Sequence, residues 1–300
     1  MKNILIPTDF SENAWNATRY ALELFQHEPC TFHFLNTYTP AIASSRFMAA
    51  SFTSDRLEDG AEACSERGLR NWVERIEQKY SSEIHTYTVT SSFSLLADEV
   101  KEMVVDRNID LLVTGTKGAS GIEEVFMGSN TVRMIKLVKN CPILAVPQHF
   151  ELARPDEIAF ATDFNRFYTQ TELQPLVDMA KAFGAVIRIV HVQYEIKALT
   201  ELQQFNLSML RKYLGKFEHY VHTVSELNSV SKTLEVFTKE LDIHLLAMLN
   251  YQHSYMERMT REPVVKRMAF HTQIPLLVIP ELGMEAHSRI TKGEEVSMSN

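Results

Sequence analysis

Ile109-Asp110-Leu111-Leu112-Val113-Thr114-Gly115-Thr116-Lys117-Gly118, followed after nine residues by Gly128-Ser129-Asn130-Thr131, is the stretch whose reading decides the fold. Ile109 to Val113 is an apolar run of strand length. Beyond the glycines, Val132-Arg133-Met134-Ile135-Lys136-Leu137-Val138 carries apolar residues at helical spacing. Of the ten glycines in the chain, Gly115, Gly118, Gly121 and Gly128 fall within fourteen residues. The order is strand, glycine turn, small polar helix start, a layout in which main-chain N–H groups and a helix N-terminus can face an anion such as phosphate. Two properties of glycine fit such a turn: it adopts positive φ freely, and it has no Cβ to hold a ligand off the backbone.

Working outward, the same alternation extends in both directions. Ile4-Leu5-Ile6 closes on Pro7-Thr8-Asp9-Phe10-Ser11, and Ser11 suits the N-cap of a helix with Ala14, Ala17, Ala21, Leu22 and Phe25 on one face. A second strand is expected over Thr31–Asn36, ending near Thr37. Residues 40–55, rich in Ala, Ser, Met and Phe without period, read as a loop or lid. A helix from Leu57 to Tyr80, a strand from Glu83 to Thr90, a helix from Ser94 to Arg107 and a closing strand in Cys141–Pro147 complete the set. Strands alternating with helices imply right-handed βαβ units and a parallel, doubly wound α/β sheet.

After a polar, proline-punctuated stretch at 148–157, expected to be a linker, the pattern starts again. Ile158-Ala159-Phe160-Ala161-Thr162-Asp163-Phe164 echoes Ile4 to Phe10. Val186–Val192, Asp242–Met248 and Ile274–Pro280 echo the second, fourth and fifth strands. The chain thus reads as an internal duplication: a first domain over 1–147, a second over 158–280 and a polar tail over 281–300.

A length of 300 residues with 45% hydrophobic content suits two domains of about 150 residues. No apolar run reaches the roughly 18–20 residues of a membrane span. Met1 to Pro7 enters a strand pattern at once, so no signal peptide is expected. The scattered Cys30, Cys64 and Cys141 lack pairing or metal-ligand spacing, which fits a reducing cytoplasm. The net charge of −8 argues against nucleic acid or an anionic membrane as partner, but leaves room for a local phosphate site built from backbone dipoles.

In a doubly wound sheet ligands bind beyond the C-terminal strand ends, where strand order reverses. With order 3-2-1-4-5, the ends at Asp9 and Gly115 lie side by side and the tip at Asn36-Thr37 borders the same crevice. Pro7, Thr8, Asp9, Thr37 and the glycine loop with Ser129, Asn130 and Thr131 then converge. Backbone N–H groups and the Ser129 and Thr131 hydroxyls can bind phosphates, while Asp9 can accept from a ribose hydroxyl or help hold a metal.

These residues resemble the universal stress protein family in its nucleotide-binding subtype. The carriers are Ile4 to Ser11, a G-x2-G-x9-G-S/T signature filled by Gly115, Gly118, Gly128 and Ser129, and Cys141 to Pro147. The resemblance covers residues 1–280 as two tandem copies. It implies two five-stranded parallel sheets of adenine nucleotide alpha hydrolase-like fold, ATP or a related adenine nucleotide (ADP or AMP) in the crevice, and domains paired through their last strands. Asp9 and the backbone near Thr37 would face the adenosine. Gly115, Gly118, Gly128, Ser129 and Asn130 would cradle the phosphates. Asn36-Thr37 departs from the His-Val common at that point, which His191-Val192 retains.

In the second copy, Leu249, Gln252, Glu262 and Pro263 stand where the first has Gly115, Gly118, Gly128 and Ser129. Bulk, a carboxylate and a lost N–H each oppose phosphate binding. One competent site per chain is therefore expected. Residues 155–280 would act as a built-in partner, Cys141–Pro147 pairing with Ile274–Pro280 in a pseudo-dimer, with a homodimer as a further step.

Plainer readings stand beside these. The loop is neither a Walker motif, since no Gly-Lys-Ser/Thr occurs, nor G-x-G-x-x-G. Asp9 could simply cap the following helix, as its echo Asp163 suggests. Lys117 reads equally as a phosphate contact or a solvated lysine, and Glu123-Glu124 as a solvated face. The histidines lack metal-site spacing, and Met248, Met256, Met259 and Met268 read as core filling. No general base, nucleophile or carboxylate pair stands out. The expected function is an ATP-binding regulatory or stress-response module in the cytoplasm. The alternatives are a slow, Mg²⁺-dependent ATP-hydrolysing enzyme and a scaffold with both crevices empty.

Overall fold

The computed structural model describes residues 1–38, 54–80, 82–116, 129–148, 150, 153–250 and 273–281. The chain divides into two compact units, Met1–Arg154 with Lys266–Leu277, and Pro155–Val265 with Val278–Asn300.

In the first unit the strands are β1 (Lys2–Pro7), β2 (Cys30–Thr37), β3 (Thr86–Ser92), β4 (Leu111–Gly115) and β5 (Ile143–Val146). The helices are α1 (Glu12–Leu24), α2 (Ser54–Lys79), α3 (Leu96–Asp106) and α4 (Ser129–Leu137). The strands run parallel in the order β3-β2-β1-β4-β5. Order reverses between β1 and β4, where Ile4 pairs with Leu111 and Leu5 with Leu112. Helices cover both faces, so β1 and β4 are apolar without alternation: Ile4, Leu5, Ile6, Leu112 and Val113 have no exposed surface.

Each helix follows from its own residues. Ser11 caps α1, its Oγ accepting from Ala14 N at 3.2 Å. Ala14, Ala17 and Ala21 on the buried stripe of that helix let it lie close on β4 and β5. In α2, Ser65, Leu69, Trp72 and Ile76 recur at helical spacing and are buried, facing β2 and β3. Trp72 meets Trp15 edge-on at 5.3 Å, joining α2 to α1, and the Arg75 guanidinium lies 3.7 Å over the Trp15 ring. The α3 helix packs against α4, β1 and β2.

The second unit repeats this. It contains β6 (Glu157–Ala161), α5 (Gln170–Phe183), β7 (Val186–Gln193), α6 (Glu201–Leu214), β8 (His219–Ser225), α7 (Val230–Glu240), β9 (Leu245–Asn250) and, from Val278 on, the end of β10 (Leu276–Pro280). Its order is β8-β7-β6-β9, with β10 beside β9. Ile158 pairs with Leu245 as Ile4 does with Leu111. Even the rare backbone geometry is copied: Phe10 and Phe164 have φ of 62° and 57°, Asn108 and Asp242 of 47° and 49°. The duplication therefore reaches single peptide units.

Small differences in extent have local causes. Of the expected lid, 54 and 55 already belong to α2 and 40–53 lie outside the described residues. The third strand starts at Thr86 rather than Glu83, where pairing of Thr31 with Thr86 begins. The second copy's first strand starts at Glu157, inside the stretch expected to be linker, because Val186 N donates to the Asp156 carbonyl at 2.9 Å and extends the ladder.

Candidate functional site

At the end of β1 the chain turns through Thr8-Asp9-Phe10. Thr8 N donates to Leu35 O at 2.8 Å, continuing the β1–β2 ladder by one step. The Thr8 hydroxyl then accepts from Phe10 N at 3.0 Å and the Asp9 carboxylate from Ser11 N at 3.0 Å. Two side chains thus hold a turn in which Phe10 takes positive φ, a conformation costly for a residue of its bulk. The second unit builds the same turn: Thr162 Oγ1 accepts from Phe164 N at 3.2 Å and Asp163 Oδ1 from Asn165 N at 2.9 Å. Asp9 thus closes the turn that precedes α1 and does not cap the helix, a role that Ser11 takes, and its carboxylate is exposed.

The tip of β2 is tied to this turn. Asn36 Nδ2 donates to the Thr8 carbonyl at 2.7 Å. In the second unit His191 Nδ1 lies 3.0 Å from the Thr162 carbonyl, the equivalent acceptor. Because a carbonyl only accepts, Nδ1 carries the proton. Asn36 thus departs from the common histidine in identity while keeping its bond. Thr37, half-buried, pairs with Ser92 and ends β2.

The end of β4 is held more tightly still. Two hydroxyls donate to the Gly115 carbonyl, that of Thr131 at 3.0 Å and that of Thr114 at 3.2 Å, while Thr116 N donates to Val146 O at 3.0 Å. The reading of Thr131 as a phosphate donor is corrected here: the residue is buried, and its proton points at Gly115, pinning the first turn of α4 to the end of β4. Ser129 opens that helix and Asn130, its second residue, is exposed. Gly118 and Gly128, with Lys117, Gly121 and Glu123-Glu124, lie outside the described residues.

A second correction concerns Gly115. Among the described residues, positive φ belongs to Phe10, Asn108, Phe164, Asp242 and Gly184, and Gly115 does not share it. Glycine is needed at 115 for space. A Cβ there would lie 2.2 Å from Asn13 Nδ2 and 2.7 Å from its Cγ. Asn13 is a residue the reading of the chain passed over, although it precedes Ala17 and Ala21 by one and two helical turns on the same buried stripe.

The structure thus brings Pro7, Thr8, Asp9, Asn36, Thr37, Gly115 and Thr131 to one edge of one sheet, at the reversal of strand order. Of the buried cysteines, Cys30 opens β2 and Cys141 lies two residues before β5, so both lie at the opposite ends of their strands. Burial pushes the Cys30 thiol up to about 11 and Cys141 up to about 12, which keeps both protonated. Among the described residues no group of His, Cys, Asp and Glu is placed to hold a metal ion, and no helix is long and apolar enough to cross a membrane.

With this geometry in view, comparison with known proteins is decisive for the first copy: the universal stress protein family matches residues 1–147. Residues 1–147 are a universal stress protein domain. A universal stress protein of Methanocaldococcus jannaschii is 28% identical over 149 residues, covering 48% of this chain and 81% of the relative. A universal stress protein from Archaeoglobus fulgidus shares the fold with a TM-score of 0.70 over 94% of this chain and 97% of its own, at 17% identity. A functionally unknown protein from Pseudomonas aeruginosa superposes at 0.58 over 98% of both chains, at 11% identity. Those two structures share the fold over both copies. At position 249 of the second copy, where the first has Gly115, a buried leucine ends the apolar run of β9.

Proposed function

We propose that the first unit binds an adenine nucleotide, with ATP the preferred species, and that the chain acts as a nucleotide-responsive stress module. One observation carries this reading: at the reversal of strand order, the Thr8-Asp9 turn and the Gly115 strand end lie on adjacent strands, and α4 begins there, tied back by Thr131. A helix start at a strand end places unpaired main-chain N–H groups where a polyphosphate can meet them. Asp9, exposed at the same edge, suits a ribose hydroxyl. Gly115, Gly118, Gly128, Ser129 and Asn130 would line the phosphate side, and Mg²⁺ would enter with the phosphates.

The second unit would bind none, since Leu249 supplies bulk where Gly115 supplies space, and would serve as a fixed partner. A module of this kind works by shifting conformation or partner affinity with nucleotide occupancy rather than by turnover. The test is to denature protein purified without added nucleotide, identify what is released, and titrate the emptied protein with ATP by calorimetry. One adenine nucleotide per chain is expected. Two per chain would remove the asymmetry between the copies, and none would leave a scaffold.

A further inference from the structure

We infer that Asn13 is a positioning residue of this site: its amide, wedged against the Gly115 Cα, is what demands glycine at 115 and fixes the peptide where the β4 end meets the ligand. This rests on the nucleotide reading above and adds a residue outside the glycine signature. Three observations converge. Asn13 is buried at 5% exposure in the first turn of α1, which lies on β4. A Cβ on Gly115 would meet three Asn13 side-chain atoms, Nδ2 at 2.2 Å, Cγ at 2.7 Å and Oδ1 at 3.0 Å, well inside van der Waals contact. The Gly115 carbonyl is meanwhile held by the Thr131 and Thr114 hydroxyls.

The peptide after Gly115 is thus gripped from two sides, by an amide against its Cα and by two donors on its oxygen. Its backbone torsion needs no glycine, so the absent side chain makes room for Asn13. Fixing that peptide fixes the end of β4 at the place where a ligand would meet it. Ligand and wedge are separate demands on one residue, and substitution can separate them.

Four full-length proteins decide it: wild type, N13A, G115A and the double variant N13A/G115A. Each is examined by urea denaturation and by ATP titration after removal of bound nucleotide. N13A removes all three atoms that a Cβ would strike. Each single variant is expected to bind ATP roughly tenfold more weakly, one by a loosened peptide and the other by a displaced one, a coupling size usual for residues in contact. The double variant, in which the new methyl refills part of the space, is expected to return to within about threefold of wild type. Its urea midpoint should also recover from the low value of G115A.

Binding in the double variant as weak as in G115A would show that glycine serves the ligand and not Asn13, overturning the inference. Equal ATP affinity in all four proteins would reduce Asn13 to packing and overturn its positioning role. If wild type binds no ATP, the nucleotide reading fails, and the positioning role with it. The urea midpoints then still decide the wedge, which stands if the double variant recovers and falls if it does not.

Discussion

At the scale of single residues, the hydrogen bonds that hold strand ends together carry definite consequences. Thr131→Val removes the hydroxyl that donates to the Gly115 carbonyl while keeping the shape; a stability loss of about 1 kcal/mol is expected, with Thr131→Ser close to wild type. Urea denaturation measures both, and equal losses would show that the bond contributes nothing. Asn36 offers a sharper comparison, because the second copy has already made the substitution. Asn36→His should retain the bond to the Thr8 carbonyl that His191 makes to Thr162, whereas Asn36→Leu should lose it and cost about 1–3 kcal/mol. Equal midpoints for the two variants would show that the second copy is a poor guide to the first. The sequence announced the Asn36 departure but could not reveal that an amide and an imidazole reach one equivalent oxygen.

At the scale of elements, the two copies end their first helices differently. The α5 helix carries a reciprocal capping box between Thr169 and Glu172 and closes on Gly184 at φ 65°; α1 has the Ser11 cap and ends at Phe25 with φ −107°. Thr169→Ala should lower stability by about 1 kcal/mol and Gly184→Ala by a similar amount, the first through lost N–H partners and the second through a left-handed backbone. Both are read as urea midpoints with an unchanged slope. A changed slope would mean that α5 unfolds apart from the rest. Element order and the starts of α1 and α4 were legible because apolar period and capping chemistry act over a few residues. Strand ends shifted where pairing with a distant neighbour set them, as at Thr86 and Glu157.

At the scale of the whole molecule, three imidazoles tie stability to pH. Burial lowers the pKa of His33, and Arg107 lowers it further. His85 is lowered by burial, and His222 by burial and then Arg188. Each folded-state value lies below the ordinary 6.5, so on acidification the unfolded chain takes up protons before the folded one. Their contribution is complete above about pH 6.5 and is lost as pH falls from there through the depressed values. The urea midpoint should be flat from about pH 8 to 7 and fall below about 6.5. His33→Gln, which removes the group bonded at 2.7 Å to Thr88 Oγ1, should make that fall shallower. An unchanged slope would show that His33 takes its proton equally well folded and unfolded.

By itself the sequence determined that the chain is a duplicated α/β protein and where its strands and helices alternate. These follow from periodicity, capping and repetition, which are written in consecutive residues. Only the tertiary structure decided that Gly115 is small for Asn13 rather than for its own backbone, that the Thr131 proton turns inward, and that Asn36 does a histidine's work. Each of those depends on atoms from different elements meeting at one strand end, and steric exclusion and hydrogen bonding act through space, where a linear pattern has no coordinate to record them.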